Sequence, residues 1–199
     1  MARKIFFATK IGEREPIKYP LVCNNTGNVE IVGGNVSFSY NSEGVVARFE
    51  CPYECEIMEP YKNYNEPIYR GDAVEFFISP YASEIDYFEF DTSPTGINFN
   101  ATVKNRSGDG VDADFDLIEK EGIVRYTPDV GEKSFVMETF APFSLLFNRE
   151  KKDPQQMPWL VNAYRIDRAG GKKTTFYSIS PTLLANFHIP EKFAELKFI

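Results

Sequence analysis

The chain has 199 residues and a mass of 22.8 kDa, a size suited to one domain around one core. Its formal net charge of −7 argues against nucleic acid or an anionic membrane surface as a partner. Aromatic residues make up 15% of the chain, and its many Phe, Tyr, Gly and Pro residues are typical of strands separated by turns. We therefore expect residues 1–199 to form a single all-β domain.

The N-terminal segment and the cysteines bear on the compartment. Residues 1–10 contain too few apolar residues for a secretory signal, and no run approaches the ~18 apolar residues of a membrane-spanning helix. Cys23, Cys51 and Cys55 are too few for a disulfide framework and lack the partners of a structural zinc site. We expect a soluble protein, cytoplasmic as the sequence stands, or extracellular if a leader has been removed.

Ten runs along the chain have the composition and period-two character of strands. They are residues 4–9, 35–40, 45–50, 73–79, 87–91, 98–103, 123–126, 134–140, 160–166 and 174–179. Turn-forming clusters separate them at spacings that favour antiparallel pairing. The pattern predicts an antiparallel two-sheet β-sandwich, immunoglobulin-like or jelly-roll-like, with one or two short helical turns. Residues 141–147 are the clearest helical candidate.

Alternation is clearest in the run of residues 87–91. Phe88 and Phe90 share one face of this strand, whereas Tyr87, Glu89 and Asp91 share the other. The pattern predicts that the phenylalanines face the core and that the opposite face carries acidic groups beside an aromatic ring.

Five segments in order carry a family resemblance. Residues 67–80 (PIYRGDAVEFFISP) and 87–96 (YFEFDTSPTG) are followed by 135–143 (FVMETFAPF), 159–166 (WLVNAYRI) and 187–193 (FHIPEKF). Together they resemble the family 9 carbohydrate-binding modules, especially the bacterial family-9-like group, from about residue 45 to the C-terminus. The resemblance implies an antiparallel β-sandwich related to the DOMON superfamily, a sugar-binding function, and calcium in some members.

Sugar binding requires aromatic faces that cover the C–H face of a pyranose and polar groups that bind its hydroxyls. The resemblance implies that Tyr69 is a stacking ring and that Glu75 is a hydroxyl-binding carboxylate. Asn162, Tyr164 and Arg165 could supply further polar groups. Because neighbours on a strand point to opposite faces, Asn162 and Tyr164 belong together and Arg165 faces the other way.

Other readings of these residues stay open. Glu75 and Arg165 could form a partly buried ion pair between two strands. Sugar-binding family members commonly carry a tryptophan in the strand that matches residues 176–181, where this chain has Ile179, and Tyr177 is then the nearest ring. Trp159 could stack on a sugar, although a tryptophan that opens an apolar strand lies more often in the core.

The acidic run of residues 109–116 is a candidate calcium site. Its carboxylates are hard oxygen ligands of the kind that Ca²⁺ prefers, and Asp109, Asp112 and Asp114 are the candidate ligands. The run lacks the spacing of an EF-hand loop, and the alternative is a solvated strand edge. No cofactor is required by any other motif.

We therefore expect a non-catalytic protein that binds a mono- or oligosaccharide by aromatic stacking and charged hydrogen bonds. One alternative is a glycoside hydrolase that cleaves O-glycosyl bonds with a pair such as Glu75 and Glu89, or an accessory domain of one with the hydrolase as partner in carbohydrate catabolism. A second alternative is a sandwich whose sugar site has decayed, leaving a role in protein interaction. We expect His188 to be structural in each case.

Overall fold

The computed structural model describes residues 2–147 and 152–199, and these residues are mostly strands, which confirms the all-β prediction. The strands are β1 (Ile5–Lys10), β2 (Lys18–Pro20), β3 (Val22–Cys23), β4 (Asn35–Tyr40), β5 (Gly44–Pro52), β6 (Ala73–Pro80), β7 (Asp86–Thr92), β8 (Asn98–Asn105), β9 (Ala113–Leu117), β10 (Arg125–Val130), β11 (Ser134–Pro142), β12 (Trp159–Asp167), β13 (Thr175–Ser178) and β14 (Ala194–Phe198). The helix α1 (Phe143–Leu146) lies inside the predicted helical segment.

Backbone hydrogen bonds join these 14 strands into one continuous sheet, where we expected two separate sheets. The main path runs β10-β11-β5-β4-β1-β14-β12-β6-β7-β8-β9, with β2, β3 and β13 attached beside it. Pairing is antiparallel except at β1, which pairs in parallel with both β4 and β14. β1 therefore links the two halves of the sheet by parallel pairing, where we expected antiparallel pairing throughout.

The sheet curls so that its two halves face each other across the main core. Phe38 on β4 and Phe76 on β6 have ring centroids 5.9 Å apart, although β1, β14 and β12 lie between their strands in the sheet. Adjacent strands are about 4.8 Å apart, so a flat sheet would hold β4 and β6 about 19 Å apart. The contact therefore requires strong curvature, and the main core fills the space that it encloses.

The half of the sheet that contains β6, β7 and β12 is covered on both faces. Every residue of β6 is buried, a pattern typical of a strand with packed layers above and below. Phe76 and Phe90 face the main core, whereas Phe77 and Tyr87 belong to a smaller apolar cluster on the outer face. This confirms the faces predicted from the alternation in residues 87–91, and it places the polar face of β7 under a second layer.

The sequence patterns did not predict four of the strands, namely β2, β3, β9 and β14. β2 and β3 are very short, and β9 is an exposed edge strand rich in acidic residues, consistent with the predicted solvated edge. Within the part of the chain that the structure describes, no helix has the length and apolarity needed to cross a membrane.

Candidate functional site

A cavity of about 660 Å³ lies on the outer face of the sheet, on the side away from the main core. Its apolar lining comes from β8, β9, β12, β13 and two loops, and consists of Tyr69, Phe99, Phe115, Leu117, Ile166, Phe176, Ala185 and Phe187. Its polar lining consists of Glu75, Glu89, Arg168, Asn186 and His188. Rings thus form much of the wall, and two carboxyl groups and a guanidinium group reach the same space.

Strand alternation and register place the carboxyl groups. In β6, Val74 and Phe76 face the main core, so Glu75 between them points to the outer face. β6 pairs with β7 so that Glu75 lies opposite Asp91, and Glu89 follows on the same face of β7. The side chains of Glu75, Glu89 and Asp91 converge, with one oxygen of each within 4.8 Å of the others.

These carboxyl groups are buried and poorly paired. Both oxygens of Asp91 and Oε2 of Glu89 receive no hydrogen bond from a donor group in the described residues, so Glu89 and Asp91 can hydrogen-bond to each other only when one of them is protonated. Burial raises the pKa of Glu89 to about 8. The pKa of Glu75 is raised mainly by burial and, to a smaller extent, by repulsion from Glu89. The pKa of Asp91 is also raised mainly by burial, and repulsion from Glu75 and Glu89 adds to this. At neutral pH the cluster therefore favours bound protons or a bound cation.

Tyr69 stands at one edge of the cavity. It belongs to a 3-10 turn, Ile68–Arg70, and the residue is 38% exposed, while its ring packs edge-on against Phe99 at a centroid distance of 5.7 Å. Arg168, which follows β12, holds this turn by donating hydrogen bonds to the carbonyl oxygens of Tyr69 (2.7 Å) and Gly71 (3.2 Å). The ring that the resemblance implied for stacking is thus exposed to solvent at a fixed position.

His188 forms part of the opposite wall. Its Nδ1 shares a hydrogen bond of 2.8 Å with the Tyr87 hydroxyl, and its ring packs against Phe77 and Phe115. Asn105 donates to the Tyr87 hydroxyl at 3.3 Å and to the His188 carbonyl oxygen at 3.1 Å. Burial lowers the pKa of His188 to about 4, so the imidazole is neutral at pH 7. The expected structural histidine therefore also borders the cavity.

Asn162 and Tyr164 lie on the face of β12 that points toward the cavity, but other residues cover them, so they do not line it. The Tyr164 ring stacks on Phe187 at a centroid distance of 4.1 Å, and its hydroxyl donates to the Phe187 carbonyl oxygen at 2.9 Å. Asn162 donates to the Tyr164 hydroxyl at 2.7 Å and to the Ser180 carbonyl oxygen at 2.8 Å. Both predicted residues therefore support the loop that carries Phe187 and are buried away from the cavity.

Arg165 and Tyr177 lie on the opposite face of the sheet. Arg165 donates to the carbonyl oxygens of Pro52 (2.6 Å) and Gly33 (3.2 Å) and pairs with Asp167 at 2.9 Å. The Tyr177 hydroxyl donates to Glu30 at 3.2 Å, and its ring belongs to the main core. The two residues are not brought together with Glu75, and the alternative of a Glu75–Arg165 ion pair is wrong because their side chains point to opposite faces.

Phe176 was not predicted as a site residue, but its ring lines the cavity at the position expected for the ring of Tyr177. β12 pairs with β13 so that Arg165 lies opposite Tyr177 and Ile166 opposite Phe176. Phe176 therefore shares the cavity side with Ile166, and it packs edge-on against Phe187 at 5.4 Å. Alternation in residues 174–179 separates the two rings, but the register with β12 is needed to decide which of them faces the cavity.

Trp159 lies in the main core. It is 1% exposed, its indole Nε1 donates to the Pro154 carbonyl oxygen at 2.9 Å, and its ring packs among Phe143, Phe147 and Phe198. A tryptophan that opens an apolar strand lies more often in the core, as Trp159 does here, and this position keeps the indole away from the cavity.

The three aspartates predicted as calcium ligands lie in an exposed loop and strand edge. Arg106 pairs with Asp112 at 3.3 Å and also with Asp114. Asp109 accepts hydrogen bonds from the Ser107 hydroxyl and from the Val111 amide. Their carboxylates therefore have partners within the loop, and the geometry gives no support to a shared cation at these positions.

A larger cavity, of about 810 Å³, is lined by Lys10, Tyr40, Phe147 and neighbouring residues. None of the predicted site residues lines it. We therefore take the ring-walled cavity as the candidate site.

Solved structures with this fold include carbohydrate-binding proteins. A protein from Bacteroides uniformis ATCC 8492, described as "a putative carbohydrate-binding protein", matches with a TM-score of 0.80 and 17% identity over 100% of both chains. The chain has the fold of this protein. A family 9 carbohydrate-binding module from Caldicellulosiruptor kristjanssonii in complex with cellotriose matches with a TM-score of 0.66 and 9% identity, over 98% of this chain and 93% of that one.

A family 9 carbohydrate-binding module from the same organism, in complex with glucose, matches with a TM-score of 0.60 and 9% identity, over 98% of this chain and 96% of that one. No protein-family model and no curated protein matches the sequence. Sequence identities this low show a shared fold, and the function has to be argued from the cavity itself.

Proposed function

We propose that the protein binds a mono- or oligosaccharide non-covalently in the cavity between Tyr69 and Phe176. The observation that carries this proposal is the composition of the cavity, which combines ring walls with carboxyl and guanidinium groups in about 660 Å³. Rings cover the apolar C–H face of a pyranose, and charged groups bind vicinal hydroxyls. Solved structures with this fold hold cellotriose and glucose, which supports the same class of ligand.

Tyr69 and Glu75 have the central roles in this proposal. The Tyr69 ring is exposed and held in place by its contact with Phe99, so it would stack on a sugar without much loss of side-chain freedom. Glu75 and Glu89 reach the cavity floor and would accept hydrogen bonds from hydroxyl groups. Arg168 would donate from the rim beside Tyr69.

Isothermal titration with glucose, cellotriose and a panel of xylo-, manno- and galacto-oligosaccharides tests the proposal. We expect at least one of these sugars to bind, and Tyr69→Ala to weaken its affinity about tenfold through loss of stacking. Tyr81→Ala is the matched control, because Tyr81 is also an exposed tyrosine but does not line the cavity. If no sugar in the panel binds, the decayed-site alternative replaces the proposal.

Cleavage of O-glycosyl bonds is the second candidate, since the raised pKa of Glu89 would suit a general acid. Glycosidases, however, place their two carboxyl groups about 5 to 9.5 Å apart on either side of the scissile bond. Glu75 and Glu89 have oxygens within 4.8 Å of each other on one floor. We therefore favour binding, and release of reducing sugar from a bound oligosaccharide would overturn that preference.

A further inference from the structure

Glu75, Glu89 and Asp91 form a carboxyl cluster beneath the cavity, and the described residues around it supply too few hydrogen-bond donors and positive groups for three carboxylates. Glu75, Glu89 and Asp91 are 3%, 4% and 0% exposed, and both Asp91 oxygens and Oε2 of Glu89 receive no hydrogen bond from a donor group in the described residues. Buried carboxylates are stable in proteins when they are paired, hydrogen-bonded or bound to a metal. The unpartnered oxygens therefore point to a missing positive group.

Arg168 acts on Glu75 electrostatically but has other partners. Its guanidinium group donates to the carbonyl oxygens of Tyr69 and Gly71 and to the Thr174 hydroxyl at 3.0 Å. These bonds fix the arginine at the cavity rim, where it holds the turn that carries Tyr69. Arg168 therefore lowers the pKa of Glu75 from a distance, without a hydrogen bond to the cluster among these contacts, and Asp91 lies deeper in the protein.

The positions of the three carboxyl groups fit one metal ion. One oxygen from each residue lies within 4.8 Å of the others. Ligand oxygens around an ion with metal–oxygen distances of about 2.4 Å are at most about 4.8 Å apart. The donors are all carboxylate oxygens, without sulfur or nitrogen, which is the ligand type of hard cations such as Ca²⁺.

We propose that Glu75, Glu89 and Asp91 form a binding site for a divalent cation, with calcium as the preferred ion. Asp91 closes the site from below, whereas Glu75 and Glu89 also line the cavity. The remaining coordination positions therefore face the cavity, where water or a ligand hydroxyl completes them. Calcium is preferred to Mg²⁺ because it accepts irregular geometry and a larger number of ligands, whereas Mg²⁺ requires a compact octahedron.

This site differs from the calcium site that the sequence predicted. The carboxylates of Asp112 and Asp114 are exposed and paired with Arg106, so they have a counter-ion already. The cluster on β6 and β7 is buried and forms no ion pair within the described residues. Substitution of an exposed aspartate such as Asp112 by asparagine is therefore a matched control for the same substitution in the buried cluster.

Calorimetric titration of the chelator-treated 199-residue protein with CaCl2 and with MgCl2 tests the proposal in the absence of any sugar. We expect one calcium per chain, weaker binding of magnesium, and a Tm that rises with calcium concentration. Asp91→Asn and, separately, Glu75→Gln should each weaken calcium affinity at least tenfold. Asp112→Asn should leave it unchanged.

Two outcomes would overturn the proposal. In the first, the wild-type protein shows neither heat of calcium binding nor a calcium-dependent Tm, so that the carboxyl groups hold protons instead. In the second, folded Asp91→Asn and Glu75→Gln proteins bind calcium as the wild type does, which places the ion elsewhere. Neither result depends on saccharide binding, and Tyr69→Ala should bind calcium normally even if it fails to bind sugar.

Discussion

Tyr87 on β7 and His188 in the segment before β14 are joined by a hydrogen bond of 2.8 Å between the phenol oxygen and Nδ1. Asn105 at the end of β8 contacts both residues and also accepts hydrogen bonds from the amides of Gly108 and Gly110. The strand face, the acidic loop and the C-terminal segment are thereby held together at one wall of the cavity.

The neutral state of His188 makes stability depend on pH. Its pKa is about 4 in the folded protein and about 6.5 when unfolded. The unfolded chain therefore takes up a proton first as the pH falls, and stability decreases between pH 6.5 and pH 4 by at most about 3 kcal/mol. Urea unfolding at pH 7 and pH 5 measures this change in the wild type and in His188→Gln.

We expect the loss between pH 7 and pH 5 to be smaller in His188→Gln, because glutamine does not titrate. Other groups contribute equally to both proteins, so the difference between them isolates the histidine. An identical loss in the two proteins would mean that the imidazole has the same pKa in the folded and the unfolded state.

Buried Glu89 should destabilise the metal-free protein increasingly as the pH rises from 4.5 to about 8. Because burial raises its pKa from 4.5 to about 8, the folded state holds a proton that the unfolded state releases. The penalty begins above pH 4.5 and increases until about pH 8. In chelator at pH 8, Glu89→Gln should raise the free energy of unfolding by on the order of 2 kcal/mol, measured with urea.

Glu132→Gln is the control for this change, because Glu132 is exposed and its substitution should leave stability within about 0.5 kcal/mol. A Glu89→Gln protein that is less stable than the wild type would show that the carboxylate has a counter-ion in the metal-free protein.

Gly110 and Gly108 form a matched pair for testing how the acidic loop supports His188. Both have positive φ, +80° and +75°, so an alanine at either position is strained by about 1 kcal/mol. A Cβ on Gly110 would lie 2.9 Å from Cβ of His188, whereas a Cβ on Gly108 meets nothing within 4 Å. Gly110→Ala should therefore be the more destabilising of the two by about 1–2 kcal/mol in chemical unfolding.

Equal losses in Gly108→Ala and Gly110→Ala would show that the loop moves away from His188 without cost. In that case the loop would not be a fixed support for the cavity wall.

Local alternation predicted the faces of single strands well. The sequence separates Phe88 and Phe90 from Tyr87, and Asn162 from Arg165, and the structure places them on those opposite faces. This works because the period of a strand is fixed by its backbone and does not depend on its neighbours.

Relations between strands were harder to predict. Tyr177 was grouped with Glu75, yet the register of β13 on β12 turns Phe176 to the cavity instead. The convergence of Glu75 with Asp91 likewise depends on the register of β6 on β7, and no local pattern encodes it. Arg168 was missed because its role arises from contacts with a turn about 100 residues earlier in the chain.

The two parallel ladders of β1 have a consequence for how the protein forms. β1 pairs with β14 so that Ile5 lies opposite Glu195, which joins two segments far apart in the sequence. During synthesis β14 must leave the ribosome before β1 can complete its pairing in the sheet. Until then the strands made earlier have unpaired edges, which can pair with other chains and aggregate. Chaperones, or folding that begins only once β14 is available, protect a nascent chain in this situation.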